Sequence, residues 1–264
     1  MPYGRWSTPA STSPSSAATA VQPAYDERYY REEFGLDDLR PLSRPWWAIR
    51  YYGVLCRRLL RASGGRRFCD VGCAHGWILA WLDSEFETWG LDVSEYAIAR
   101  ARNVAPRAHT VVHDVTHGFP ESLRGIGFDL ILMRYVLEHL ADPGAAIAAA
   151  AAELAPRGAL LFSVPNTASP GRRWKGERWF GYRDRTHCSL LEPGTWERLA
   201  RDAGLRIERT WSDGLWDVPY VRGVPALVQL AVVGAPAIAQ VLAAGTFLPP
   251  RWGENLLVLA RRPG

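Results

Sequence analysis

Three acidic residues fall where short apolar runs end: Asp70 in Phe68-Cys69-Asp70-Val71, Asp92 after Trp89-Gly90-Leu91, and Asp114 after Val111-Val112-His113. The first stands directly before the small-residue turn Gly72-Cys73-Ala74-His75-Gly76. Glycines there let the backbone pass close to a ligand without Cβ interference. A dinucleotide fingerprint needs G-x-G-x-x-G, so that a pyrophosphate can rest on a helix N-terminus. Here Ala74 takes the second glycine's place and Trp77 the third's. A carboxylate at the head of the turn would also repel a phosphate. The loop therefore reads as a site for a guest carrying ammonium and sulfonium charge. Asp92 is placed to accept hydrogen bonds from two ribose hydroxyls, and Asp114 from an exocyclic amine. The competing reading is that each acid caps the helix or turn that follows. Three acids ending three successive runs favour one shared ligand.

Two histidines offer general-base chemistry near neutral pH. His139 follows the fourth apolar run, and His187 lies in an aromatic loop after the fifth. Either could take a proton from a hydroxyl or amine acceptor. His139 could equally cap its helix or fill a core position.

The elements that must position these residues alternate. Apolar runs at 67–71, 87–92, 109–114, 128–134, 158–164, 205–211 and 256–261 read as strands, and helical patterns at 76–86, 94–103, 142–154 and 193–203 lie between them. Repeated βα units with near-continuous apolar strands predict an α/β fold: a doubly wound, mostly parallel sheet with helices on both faces, in a single domain. Before it, Trp47, Tyr51, Val54, Leu55 and Leu59 share a helical face that Ser63-Gly64-Gly65 should end. Residues 25–62 read as an N-terminal helical cap. Residues 1–24 contain the uncharged tract STPASTSPSSAATA and read as a disordered tail.

These residues resemble the class I S-adenosylmethionine-dependent methyltransferases. Asp70–Gly76 is similar to that family's D-x-G-x-G-x-G loop, with alanine at the middle glycine. Asp92 matches its ribose-binding acid, and Asp114-Val115 its adenine-binding pair. Phe128–Arg134 with Val136-Leu137-Glu138-His139-Leu140 resembles its fourth strand and the segment after it. Leu154-Ala155-Pro156-Arg157-Gly158 resembles the L-x-P-G-G entry to strand five, with Arg157 for one glycine. The resemblance implies a seven-stranded Rossmann-like sheet with an antiparallel last strand beside strand five. It also implies S-adenosyl-L-methionine bound by Asp70, Gly72, Cys73, Ala74, Gly76, Asp92, Val93, Asp114, Val115 and Arg134. Trp179-Phe180-Gly181-Tyr182, Thr186-His187 and the run from Thr195 to Leu205 are similar to a subgroup acting on quinone, glycan or secondary-metabolite intermediates. The expected activity is methyl transfer to an oxygen or nitrogen of a small molecule, with oxygen preferred because two histidines flank the site. A cyclase-like enzyme that binds the cofactor without transferring methyl, and a non-catalytic partner protein with a vestigial site, are the alternatives.

Glu138, His139 and His187 are also similar to part of the E-x-x-E-H plus histidine set of metal-dependent relatives, but Tyr135 stands where the first acid would be. No metal is expected. The four cysteines form no C-x-x-C pair, and reduced thiols in a cytoplasmic protein are the expectation. The net charge of +4 includes no basic run long enough to track a phosphate backbone, so no nucleic-acid partner is expected.

Two segments stand apart from the alternating pattern. Arg172–Arg185 carries six basic and two acidic residues among four aromatics, and with its surroundings (166–192) reads either as a mobile lid or as a charged loop packed on the domain edge. Residues 223–250, within an apolar insertion at 213–252, carry no charge at all. They are long enough to span a bilayer, but strands of one sheet cannot lie on opposite sides of a membrane. A buried helical hairpin, a homodimer interface and a peripheral membrane contact remain as readings.

Overall fold

The computed structural model describes Tyr25, residues 27–30 and residues 39–264; the predicted tail at 1–24 lies outside these residues. Seven strands form one sheet: β1 (Arg67–Val71), β2 (Glu87–Asp92), β3 (His109–Val112), β4 (Phe128–Arg134), β5 (Leu154–Pro165), β6 (Arg206–Ser212) and β7 (Asn255–Arg261). Their order is β3-β2-β1-β4-β5-β7-β6. The first five run parallel, and β7 lies antiparallel between β5 and β6.

Strand composition explains why both faces are covered. Along β5, Leu160, Phe162 and Val164 enter one core cluster while Ala159 and Leu161 enter the other. Along β7, Leu256, Val258 and Ala260 alternate in the same way with Leu257 and Leu259. A strand apolar at every position has no face to offer water, so helices must pack on both sides.

The helices in chain order are α1 (Glu27–Tyr29), α2 (Arg44–Ser63), α3 (Trp77–Leu82), α4 (Glu95–Val104), α5 (Pro143–Glu153), α6 (Pro170–Lys175), α7 (Phe180–Arg183), α8 (Pro193–Asp202), α9 (Ala226–Val232) and α10 (Ala235–Ala243). Local chemistry sets their limits. The Ser43 hydroxyl accepts from Trp46 N at the start of α2, and Gly64 closes it in the left-handed conformation at φ 71°. Ser94 caps α4 and Asp142 caps α5, each accepting a backbone N–H three residues on. Residues of α2, α3 and α4 share one cluster with Phe68, Leu130 and Leu132. Residues of α5 and α8 share the other with Ile131 and Met133.

Two sequence expectations shift. The third strand ends at Val112, because Asp114 leaves the ladder to cap the single turn Val115–His117. The fifth strand begins at Leu154, with Leu154 paired to Phe128 ahead of a register shift that carries the ladder on to Ala159. Cys56, Cys69 and Cys73 are buried free thiols, whereas Cys188 is exposed.

Candidate active site

The turns after β1, β2, β3 and β4 meet at the carboxyl edge of the sheet, where open α/β sheets bind ligands. They border an open cleft. Gly72, Ala74, Asp92, Val93, Asp114, Val115, Arg134 and His139 all line it. Asp70, Cys73 and again Arg134 line a smaller adjoining hollow. Gly76 borders neither: it opens α3 at φ 75°, where an added Cβ would meet Ala101 Cβ at 2.9 Å.

The opening turn is built for close approach. Gly72 adopts φ 73°, and a Cβ there would stand 2.3 Å from Val136 Cγ2. Its amide and that of Cys73 both donate to Leu91 O, tying the turn to β2. Ala74, the alanine at the expected middle glycine, still takes the left-handed conformation at φ 47°. Its amide donates to Asp92 Oδ2 at 2.9 Å.

Burial dominates the electrostatics. Asp70 is almost fully enclosed, and desolvation lifts its carboxyl to about 7, opposed by the nearby Arg134 guanidinium. Arg134 lies over the rings of Tyr52 and Tyr135 at 5.5 and 5.1 Å. A carboxyl and a guanidinium lining one hollow beside the cleft suit the ammonium and carboxylate of an amino acid. Burial also raises the Asp92 carboxyl. Its Oδ1 accepts from Ser94 N at 2.9 Å and from the Tyr30 phenol at 3.1 Å. Asp114 Oδ1 accepts from the amide and hydroxyl of Thr116, so this acid caps its turn while bordering the cleft.

Beside the acids lies a histidine pair. The rings of His139 and His187 are 4.8 Å apart. His139 reaches the cleft, whereas the His187 side chain is only 8% exposed and does not line it. Thr186 Oγ1 donates to Asp184 Oδ1 at 2.6 Å and lies 2.7 Å from His139 Nδ1. With the hydroxyl proton engaged by the carboxylate, His139 Nδ1–H is the donor, and Nε2 keeps its lone pair. Burial and the neighbouring His187 push the His139 pKa down to about 4. His187 Nδ1 donates to Gly181 O at 2.8 Å, so its Nε2 is also unprotonated when the ring is neutral. Burial works to raise the Asp184 carboxyl, but the Thr186 hydroxyl and amide, with both histidines, hold it below its ordinary value.

Glu138 completes the cluster. It is fully buried, neither carboxyl oxygen has a hydrogen-bond partner, and desolvation lifts it to about 8. One donor atom each from Glu138, His139 and His187 lies within 4.8 Å of the others. Such a donor set is tighter than the sequence alone implies. Tyr135, at the position of the missing first acid, instead accepts from Asn255 Nδ2 at 2.7 Å.

Residues the sequence reading left out also line the cleft: Tyr25, Tyr29, Tyr30, His113, Thr116 and Tyr135. The i, i+4, i+5 spacing of Tyr25, Tyr29 and Tyr30 is the one signal that could have found the first three.

Comparison with known proteins decides the family. A sequence model described as a methyltransferase domain matches residues 46–210. The chain belongs to the class I S-adenosylmethionine-dependent methyltransferases. Among curated relatives, this methyltransferase is similar to the ubiquinone biosynthesis O-methyltransferase of Bradyrhizobium diazoefficiens, 31% identical over 119 residues that make up 45% of each chain. It is 27% identical over 184 residues to the enzyme of the same name from Thiobacillus denitrificans, covering 66% of this chain and 74% of the relative. The match thus spans less than half of the first relative's length. In fold it is similar to a methyltransferase structure from Galdieria sulphuraria, with a TM-score of 0.59, 14% identity and coverage of 89% and 97% of the two chains.

The Arg172–Arg185 segment is pinned rather than open. Trp179 is fully buried and donates through Nε1 to Glu254 Oε2 at 2.7 Å. Glu254 also accepts from Ser169 Oγ at 3.0 Å and Tyr220 OH at 2.5 Å. Lys175 and Arg183 both pair with the buried Asp217, at 2.6 and 3.0 Å.

Proposed function

We propose that this methyltransferase transfers a methyl group to an oxygen of a small, quinone-like or comparably apolar molecule. The observation that carries this reading is His139: it reaches the cleft with Nδ1 committed to Thr186 and Nε2 carrying a lone pair. S-adenosyl-L-methionine, when bound, supplies an activated methyl group with a good leaving group. The chain's own part is then positioning and exclusion of water. Asp70 and Arg134 would hold the methionyl end, Asp92 the ribose and Asp114-Val115 the base. His139 Nε2 would take the acceptor proton, and Asp184 through Thr186 would stabilise the resulting imidazolium. The ubiquinone biosynthesis O-methyltransferases it is similar to support an oxygen acceptor.

The test is incorporation of label from methyl-labelled S-adenosylmethionine into a panel of hydroxylated quinols, phenols and amines. Labelled quinol or phenol, with turnover falling about a hundredfold in His139→Ala at unchanged cofactor affinity, is the expected result. Binding of the cofactor without label in any acceptor would favour the cyclase-like or non-catalytic alternatives.

A second reading rests on the unpartnered Glu138 carboxyl beside two imidazoles. These three would hold a divalent cation, which would supply Lewis acidity toward the acceptor oxygen. Loss of turnover on chelation, restored by added metal in the parent chain but not in Glu138→Gln, separates this reading from simple base catalysis.

A further inference from the structure

Between β6 and β7 the helices α9 and α10 form a bent pair, 64° apart. Their polarity is reversed relative to a surface hairpin of a water-soluble domain. The glutamine side chains turn inward. Gln229 is buried, accepting from the amides of Tyr220 and Val221 and donating to the carbonyls of Val221 and Val224. Gln240, fully enclosed, donates to Ser212 O and accepts from Leu248 N. The outward side chains are aliphatic or aromatic: Leu227 is 80% exposed, Val232 69% and Phe247 57%. Val228, Ile238 and Leu242 are exposed with them. An apolar patch of this kind marks a docking face.

Charge selects the occupant. From Val218 to Gly253 there is no acidic residue, and the only charges are Arg222 and Arg251, one at each end and both exposed. Further arginines border the pair. Arg50 and Arg58 donate to the last carbonyls of α10, and Arg209 to Thr246 Oγ1. An apolar face with an exposed arginine at each end of its segment and further arginines fastened along its border suits an anionic lipid surface. A second copy fits less well, because a two-fold interface would set Arg222 and Arg251 against their counterparts with no acid between Val218 and Gly253 to answer them. Spanning is excluded: β6 and β7, which flank the pair, are neighbours in one sheet, and no single helix among the described residues is long and apolar enough to cross a membrane.

We propose that the outward face of α9 and α10 docks this protein on anionic bilayers, with the helix pair lying in the plane of the interface and the arginines among the headgroups. The inference does not depend on the identity of the methyl acceptor.

The test is sedimentation of the full chain with vesicles of phosphatidylcholine alone and of phosphatidylcholine mixed with phosphatidylglycerol. The chain should pellet with the mixed vesicles and lose that binding as salt rises. Leu227→Glu with Leu242→Glu should lower partitioning by about tenfold or more. Arg222→Gln and Arg251→Gln should each cost about fivefold, on the anionic vesicles only. Unchanged circular dichroism and thermal melting would show that the variants fold; should the double variant unfold, the milder Val232→Ser carries the same comparison. Three outcomes overturn the proposal: no pelleting with anionic vesicles, equal pelleting of the folded patch variant, or a concentration-dependent dimer in solution that the patch variant disperses.

Discussion

Thr186 Oγ1 lies between two groups it connects, 2.7 Å from His139 Nδ1, with its own proton given to Asp184. The threonine therefore relays the carboxylate's charge to the imidazole without itself titrating. Thr186→Val keeps the volume and severs the relay. We expect kcat to fall about tenfold to a hundredfold, with the cofactor dissociation constant unchanged. Steady-state kinetics beside calorimetry would check this, and an unaltered kcat would remove Asp184 from the catalytic assembly.

Asp70 sets a pH dependence for cofactor capture. With its carboxyl lifted to about 7 in the ligand-free protein, a cationic guest must first meet the ionised form. Affinity for S-adenosylmethionine should weaken about tenfold for each pH unit below 7 and level off above it. Titration calorimetry across that range measures it. In Asp70→Asn the slope should vanish along with most of the affinity.

The same group contributes to stability with the opposite sense. Its unfolded value is 3.8 and its folded value about 7, and Asp213 behaves alike because it too is buried. Between those values the folded chain holds protons that the unfolded chain has lost, so stability falls as pH rises, by roughly 1 kcal/mol per pH unit for each group. Above about 7 the loss is complete. Thermal melts of the ligand-free protein should therefore show a lower Tm at about pH 7.5 than at about pH 5.5. A rising Tm over that interval would mean that the buried carboxyls stay ionised.

Ala74 carries backbone strain that glycine would not. Its φ of 47° is costly for a residue with a Cβ, so Ala74→Gly should raise stability by about 1 kcal/mol. Gly72→Ala should do the reverse and more severely, since its Cβ would collide with Val136. Urea denaturation of the two variants gives the comparison directly.

The frame of the site was legible in the sequence, because strand-end acids and uniformly apolar strands are local signals. Asp92 and Asp114 could be placed at the sheet edge from their neighbours alone, and Arg157, at an expected glycine, still adopts φ 64°. The contacts that complete the cleft were not legible. Tyr30 meets Asp92 across 62 residues of chain, and Tyr29 meets Asp184 across 155. Nothing in local spacing encodes such pairings. For the uncharged stretch at 223–250, composition left a buried hairpin, a homodimer interface and a membrane contact open; the inward Gln229 and Gln240, with Leu227 and Val232 exposed, argue against the fully buried hairpin.

The three-way grip of Glu254 fastens together parts of the chain that are far apart in sequence. Ser169 and Trp179 belong to the chain between β5 and α8, while Tyr220 belongs to the insertion between β6 and β7. Knotted to one buried carboxylate, the two segments form a single mechanical piece, and a substitution that loosens one is felt by the other.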